Sequence, residues 1–155
     1  VKAIRRFRGV EHRLELVATI NGVQFVNDSI ATAPERALAA VDSFDEPLIL
    51  LAGGKDKDMV WDEWAQRVNE RVKHVVLFGQ LAGKLSEKIS DATETGITGA
   101  TVSRALDLAE AINIAADVAQ SGDVVLLAPG GTSYDAYEDF AARGQHFRNL
   151  VRLKR

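Results

Sequence analysis

Leu48-Ile49-Leu50-Leu51-Ala52, followed at once by Gly53-Gly54-Lys55-Asp56-Lys57-Asp58, decides the fold of this chain. An apolar run without alternation suits a strand buried on both faces, and such strands belong to parallel sheets covered by helices. The run ends abruptly in glycine and charge, so the chain leaves the core at the strand's carboxyl end and meets solvent there. Two more runs repeat the pattern beside Pro47–Ala52: His74–Phe78, and Val124–Ala128, which opens into Pro129-Gly130-Gly131-Thr132-Ser133. Thr101–Ser103 is shorter and more polar, as expected of an edge strand.

Upstream, Leu16–Ile20 and Val23–Val26 flank Asn21-Gly22. Asn-Gly between β-prone runs predicts a hairpin, because both turn residues must tolerate positive φ. Helical spacing fills the gaps between strands. Ala37, Leu38 and Val41 share a face, as do Trp61, Trp64 and Val68; Leu81, Leu85 and Ile89 recur every four residues. Leu106, Ala109, Ile112 and Ala116 predict another stripe, and Tyr134 to Leu153 predicts a last helix bent near Gly144. The expected fold is a Rossmann-like α/β domain: a mostly parallel sheet with an N-terminal β-hairpin and helices on both faces.

With 155 residues, 46% hydrophobic and 26% charged, the chain fits one domain. It has no cysteine, which excludes disulfides and thiolate metal sites. A formal charge of −3 gives no electrostatic reason to expect nucleic acid or an anionic membrane as partner. The apolar runs fall far short of the roughly 20 residues of a membrane span. The basic start Val1-Lys2-Ala3-Ile4-Arg5-Arg6-Phe7-Arg8 leads into no apolar stretch, unlike a signal peptide. It also lacks an initiator methionine, and Val1–Gly9 fits no element of the scheme. Residues 1–9 are therefore expected to be the end of a preceding domain and a hinge, with the domain proper at 10–155.

In an open parallel sheet, ligands bind outside the carboxyl ends of the strands. Three loops fall there: Asn27-Asp28-Ser29-Ile30-Ala31-Thr32, the Gly53–Asp58 stretch, and Pro129–Ser133. Each also has a purely structural reading. Thr32 with Glu35 and Pro34 makes a helix-capping box. Lys55 and Lys57, alternating with Asp56 and Asp58, make a solvated turn. Thr132 or Ser133 caps the last helix, whose first N–H groups would equally suit a carboxylate or phosphate. Glycines at 53 and 54 let backbone approach a ligand, with a lysine supplying a cation. Gly79-Gln80-Leu81-Ala82-Gly83-Lys84-Leu85 imitates a phosphate-binding P-loop, but it has one spacer too few and Leu85 stands where Ser or Thr is needed. His12, His74 and His146 lack metal spacing. Arg13 in a linker is ordinarily solvated, and its guanidinium fork matters only if a phosphate arrives from elsewhere.

Taken together, four stretches resemble the carboxy-terminal domain of the Mur ligases, in the branch that adds D-glutamate. They are Phe7-Arg8-Gly9-Val10-Glu11-His12-Arg13-Leu14-Glu15, Asn27–Thr32, Gly53–Lys57, and Pro129–Asp135 continuing through Phe140, Arg143-Gly144 and Phe147. The resemblance implies a cytoplasmic ligase of peptidoglycan synthesis, serving cell-wall formation, cell shape and division. It implies ATP and Mg2+, bound mainly by a central P-loop domain, and the substrates D-glutamate and UDP-N-acetylmuramoyl-L-alanine. By the same resemblance Arg13 reaches the γ-phosphate and Asp28 contacts the nucleotide's ribose. Thr32 and Lys57 hold the α-carboxylate of D-glutamate; Ser133 and the Phe140 N–H hold its side-chain carboxylate. Arg13 and Lys57 are the expected catalytic residues. A monomer is expected. Ile30 departs from the family's usual lysine, and Lys55 is a candidate replacement. The rival reading is a stand-alone Rossmann-like module that binds a small anion.

Overall fold

The computed structural model describes residues 11–93 and 99–155; Val1–Gly9, expected as remnant and hinge, lies outside them. The described strands are β1 (Glu15–Ile20), β2 (Val23–Asn27), β3 (Leu48–Gly53), β4 (His74–Phe78), β5 (Thr101–Arg104) and β6 (Val124–Gly130). The described helices are α1 (Pro34–Val41), α2 (Asp62–Arg71), α3 (Ala82–Thr93), α4 (Leu108–Val118) and α5 (Phe140–Arg152). The sheet order is β1-β2-β6-β3-β4-β5. Only the β1–β2 hairpin is antiparallel; every other neighbour pair is parallel. Asn21 and Gly22 both take positive φ in the hairpin turn, as the dipeptide predicts.

Alternation along the strands sorts their side chains onto two faces. Leu48, Leu50, Ala52, Val75, Leu77, Leu126 and Ala128 pack with α1, α2 and α3. Ile49, Leu51, Val76, Phe78, Val125 and Leu127 pack with α4 and α5. The chain passes outward from β3 to β4 and β5 beneath helices on one face. It then returns through α4 on the other face to insert β6 beside β3. The carboxyl ends of β3 and β6 thus lie at the point where the winding reverses, the usual place for a ligand crevice.

Several local expectations need correction. Thr32 does not cap α1: the N-cap is Ala33, which makes no side-chain cap bond, and its carbonyl takes the Arg36 and Ala37 N–H groups. The last helix does not begin near Tyr134 and is not capped by Thr132 or Ser133. It starts at Phe140, where the Asp139 carboxylate accepts the Ala142 N–H. That helix runs unbroken through Gly144. The buried face of α4 is Leu108, Ala111, Ile112 and Ala115; of the predicted stripe Ile112 belongs to it, Ala109 and Ala116 lie at its border, and Leu106 is 85% exposed. Asp107, accepting the Glu110 N–H, starts that helix after Leu106 and sets its phase.

Candidate functional site on the carboxyl rim of the sheet

Hydrogen bonds tie the three rim loops into one unit. Asp28 N–H donates to Leu127 O at 2.8 Å, and Gly130 N–H donates to Ala31 O at 2.8 Å. Lys55 and Thr132 form a two-way backbone bridge, each N–H donating to the other's carbonyl at 2.9 Å. Gly54 is needed for this contact and Gly53 for the approach of β4. A Cβ on Gly54 (φ +101°) would lie 2.3 Å from Thr132 O, and one on Gly53 would lie 1.9 Å from Phe78 O.

Arg143 locks the unit from below. Its side chain is fully buried, with Nε donating to Ser29 Oγ at 3.0 Å and Nη2 to Ser29 O at 3.0 Å. Both terminal nitrogens also donate to Gly131 O at 3.2 Å. Ser29 Oγ in turn donates to Phe140 O at 2.7 Å, which seats the start of α5 against the first loop. Burial pushes the Arg143 pKa down to about 10, so the guanidinium keeps its charge at neutral pH. Among the described residues it has no ion-pair partner. The rim therefore overlies a buried positive charge.

The leading segment is held just as firmly. Ser29 N–H donates to Asn27 Oδ1, which fixes the orientation of that buried amide. Asn27 Nδ2 then donates to His12 Nδ1 at 2.9 Å and to Glu15 Oε1 at 3.0 Å. His12 (φ +61°) and Leu14 (φ +46°) both sit in the left-handed region, which costs a non-glycine residue of order 1 kcal/mol or more. Burial alone would raise Glu15. Hydrogen bonds from Arg148, the His12 N–H and Asn27 outweigh it and hold the carboxyl below its ordinary value. This anchoring delivers Leu14 N–H to Asp28 Oδ1 at 2.9 Å and leaves Arg13 exposed beside it. Burial pushes Asp28 up to about 6, against the Leu14 N–H and the charges of Arg13 and Arg36, which pull it down. Arg13, Asp28, Ile30 and Arg36 share a cleft of about 410 Å³.

In the second loop the charges divide by function. Asp56 turns inward to Lys84 (2.5 Å), Met59 N–H and Trp61 Nε1 (3.2 Å each), so it is structural. Lys55 and Lys57 stay exposed. Lys57 Nζ lies 5.8 Å from the centre of the Tyr134 ring, and among the described residues it has no ion-pair partner. Thr32 and Phe140 are half-buried. Ser133, 2% exposed, is the most covered of the expected ligand residues, under the turn it starts by accepting the Tyr137 N–H. The structure thus gathers Arg13 with Asp28, and Lys57 with the Ser133–Tyr134 turn. Among the described residues no hydrogen bond joins Thr32, Lys57 and Ser133 to one another. In the P-loop imitation, the Gln80 N–H already meets the Asp135 carboxylate at 3.3 Å, so that turn is occupied by an anion of the chain itself. No three carboxylate or imidazole groups converge on a metal position among the described residues.

Sequence reading gave no role to Arg143, His12, Asn27 or Arg36. One signal was available: Arg143 falls on the same helical stripe as Phe147 and Val151, where a charge is costly unless bonded.

The model of the Mur ligase, glutamate ligase domain matches residues 12–131. The chain belongs to the Mur ligase family. A curated UDP-N-acetylmuramoylalanine–D-glutamate ligase from Symbiobacterium thermophilum is 43% identical over 150 residues, which cover 97% of this chain and 32% of that protein. This Mur ligase domain spans about a third of the length of the curated relatives it matches. A murein peptide ligase from Psychrobacter arcticus shares the fold, with a TM-score of 0.62 at 19% identity over 95% of this chain and 32% of that one. A bifunctional folylpolyglutamate/dihydrofolate synthase from Yersinia pestis, in complex with AMPPNP and manganese, gives 0.60 at 18% identity over 94% of this chain and 32% of that one.

Proposed function

We propose that this chain is the amino-acid-binding domain of an ATP-dependent ligase that joins D-glutamate to UDP-N-acetylmuramoyl-L-alanine. The reaction belongs to the cytoplasmic steps of peptidoglycan synthesis, and so to cell shape and division. The observation that carries the reading is the free Lys57 ammonium beside the Ser133–Tyr134 turn, on a rim above the buried charge of Arg143. That arrangement attracts a small dicarboxylate. Thr32 and Lys57 hold its α-carboxylate, while Ser133 and the Phe140 N–H, unpaired within the first turn of α5, take the side-chain carboxylate.

A carboxylate is a poor electrophile, so the ligase first transfers the γ-phosphoryl of ATP to the acceptor carboxylate, releasing ADP. The D-glutamate amine then attacks the acyl carbon, phosphate leaves, and the amine loses a proton. Arg13 meets the γ-phosphate and Asp28 accepts from the ribose hydroxyls. The paired cations and the carboxylate of their cleft fit a nucleotide. Magnesium is assigned mainly to the central domain of the whole enzyme. The protein works as a monomer, without nucleic acid. The rival small-anion module gains no support from any feature of the rim that the ligase leaves unexplained.

The test is Lys57→Ala in the full-length enzyme. The KM for D-glutamate should rise at least tenfold, about the loss of one charge-assisted contact, with the KM for ATP little changed. An unchanged KM for D-glutamate would remove the assignment.

A further inference from the structure

The cleft beside Asp28 contains a second guanidinium. Arg36 is the third residue of α1, which begins at Pro34, and it lines the same cleft as Arg13, Asp28 and Ile30. The two arginines stand on different elements, both exposed. Both lie near enough to Asp28 for their charges to act on its carboxyl. Among the described residues neither arginine makes an ion pair. One carboxylate cannot neutralise two guanidinium groups, so the cleft keeps a positive excess beside a single acceptor. Leu14 and Ala39 supply an apolar wall. Apolar wall, hydroxyl acceptor and two phosphate-seeking cations are the complement of a nucleoside polyphosphate. Ile30 contributes no charge to this cleft. Lys55, the candidate replacement suggested by sequence, is not among its lining residues and instead carries the bridge to Thr132.

We propose that Arg36 is a second phosphate-binding residue of the nucleotide site, meeting the polyphosphate from α1 while Arg13 meets it from the leading segment. The inference rests on the reading of the chain as part of an ATP-dependent ligase. Because α1 is anchored through Ala37, Leu38, Ala40 and Val41, its exposed arginine is replaceable without disturbing the core.

The experiment measures AMPPNP affinity by titration calorimetry, and KM for ATP and for D-glutamate, in the full-length enzyme and its Arg36→Ala, Arg36→Lys and Arg13→Ala variants. Arg36→Ala should weaken AMPPNP binding and raise the KM for ATP about tenfold, the size of one charge-assisted contact. The KM for D-glutamate and the melting temperature should stay at parent values. Arg36→Lys should recover part of the loss, and the salt dependence of AMPPNP binding should be shallower in Arg36→Ala. Parent-like AMPPNP affinity in Arg36→Ala, with loss in Arg13→Ala, overturns the role of Arg36 and leaves the ligase reading intact. Parent-like affinity in both variants overturns the nucleotide reading of the cleft as well. Equal losses for AMPPNP and D-glutamate in Arg36→Ala also overturn the proposal, since they mark a structural role.

Discussion

Asp28 is 5% exposed and accepts one backbone N–H, too little to compensate a buried carboxylate fully. Its pKa is about 6 in the folded chain against 3.8 for the free side chain. The folded state therefore binds this proton more tightly than the unfolded state does. The stability linked to Asp28 is fully present below pH 3.8 and is lost as pH rises through about 6. A shift of roughly two units corresponds to at most about 3 kcal/mol. Asp28→Asn keeps an oxygen for the Leu14 N–H and removes the charge. Urea denaturation should show the variant about 1–2 kcal/mol more stable than the parent at pH 7.5, with a flatter profile between pH 4 and 6. An unchanged profile would mean that Asp28 is hydrated and ionised without cost. A carboxylate kept in so unfavourable a place is consistent with a ligand-directed role. The motif Asn-Asp-Ser marked Asp28 in the sequence. Its burial was not legible there, because it depends on a segment that folds over it from outside the motif.

Helix α5 shows how an element takes orders from its neighbours. Glycine in a helix interior ordinarily costs about 0.5–1 kcal/mol relative to alanine, so Gly144→Ala would normally stabilise. Here the new Cβ would lie 2.1 Å from His12 Nδ1 and within 2.9 Å of two more ring atoms. The ring cannot yield easily, since Nδ1 is held by Asn27. Gly144→Ala should therefore destabilise by about 1–3 kcal/mol, the usual penalty of overpacking. Combined with His12→Ala it should become neutral or favourable. Denaturation of the four proteins of this cycle measures the coupling, and additive effects would refute the contact. The sequence suggested a bend at Gly144, because a lone glycine in a helical pattern commonly marks one. What it marks is a close approach, visible only once the leading segment is packed on α5. The same ignorance of neighbours misplaced the caps: Thr32 and Ser133 have cap chemistry, but Ala33 and Asp139 occupy the positions.

At the scale of the molecule, the site is a property of the winding. β6 inserts next to β3, so loops about 75 residues apart, at Lys55 and Thr132, meet in one backbone bridge. That bridge sets Lys57 beside Tyr134. The chain contains no G-x-x-x-x-G-K-[ST] stretch, and its nearest imitation is closed by Asp135. The 155-residue chain alone should therefore release no phosphate from ATP in the presence of D-glutamate and UDP-N-acetylmuramoyl-L-alanine. A phosphate-release assay that found turnover would contradict the assignment of phosphoryl transfer to another domain.

By itself the sequence determined the local terms: which segments are strands, that the first pair turns at Asn21-Gly22, that the sheet is covered on both faces, and which loops leave the carboxyl ends of the strands. These follow from periodicity and turn residues, which act over a few residues. Only the tertiary structure decided which rim residues are spent on the fold and which remain free. Asp56, Gly53, Gly54 and Arg143 are taken up by contacts, while Arg13, Arg36 and Lys57 stay exposed and make no ion pair among the described residues. The physical reason is that satisfying buried polar groups is an account kept across the whole molecule. Arg143 can be buried without an ion pair because Ser29 and Gly131, from two distant loops, supply its acceptors, and the Asp135 carboxylate supports its charge from farther off.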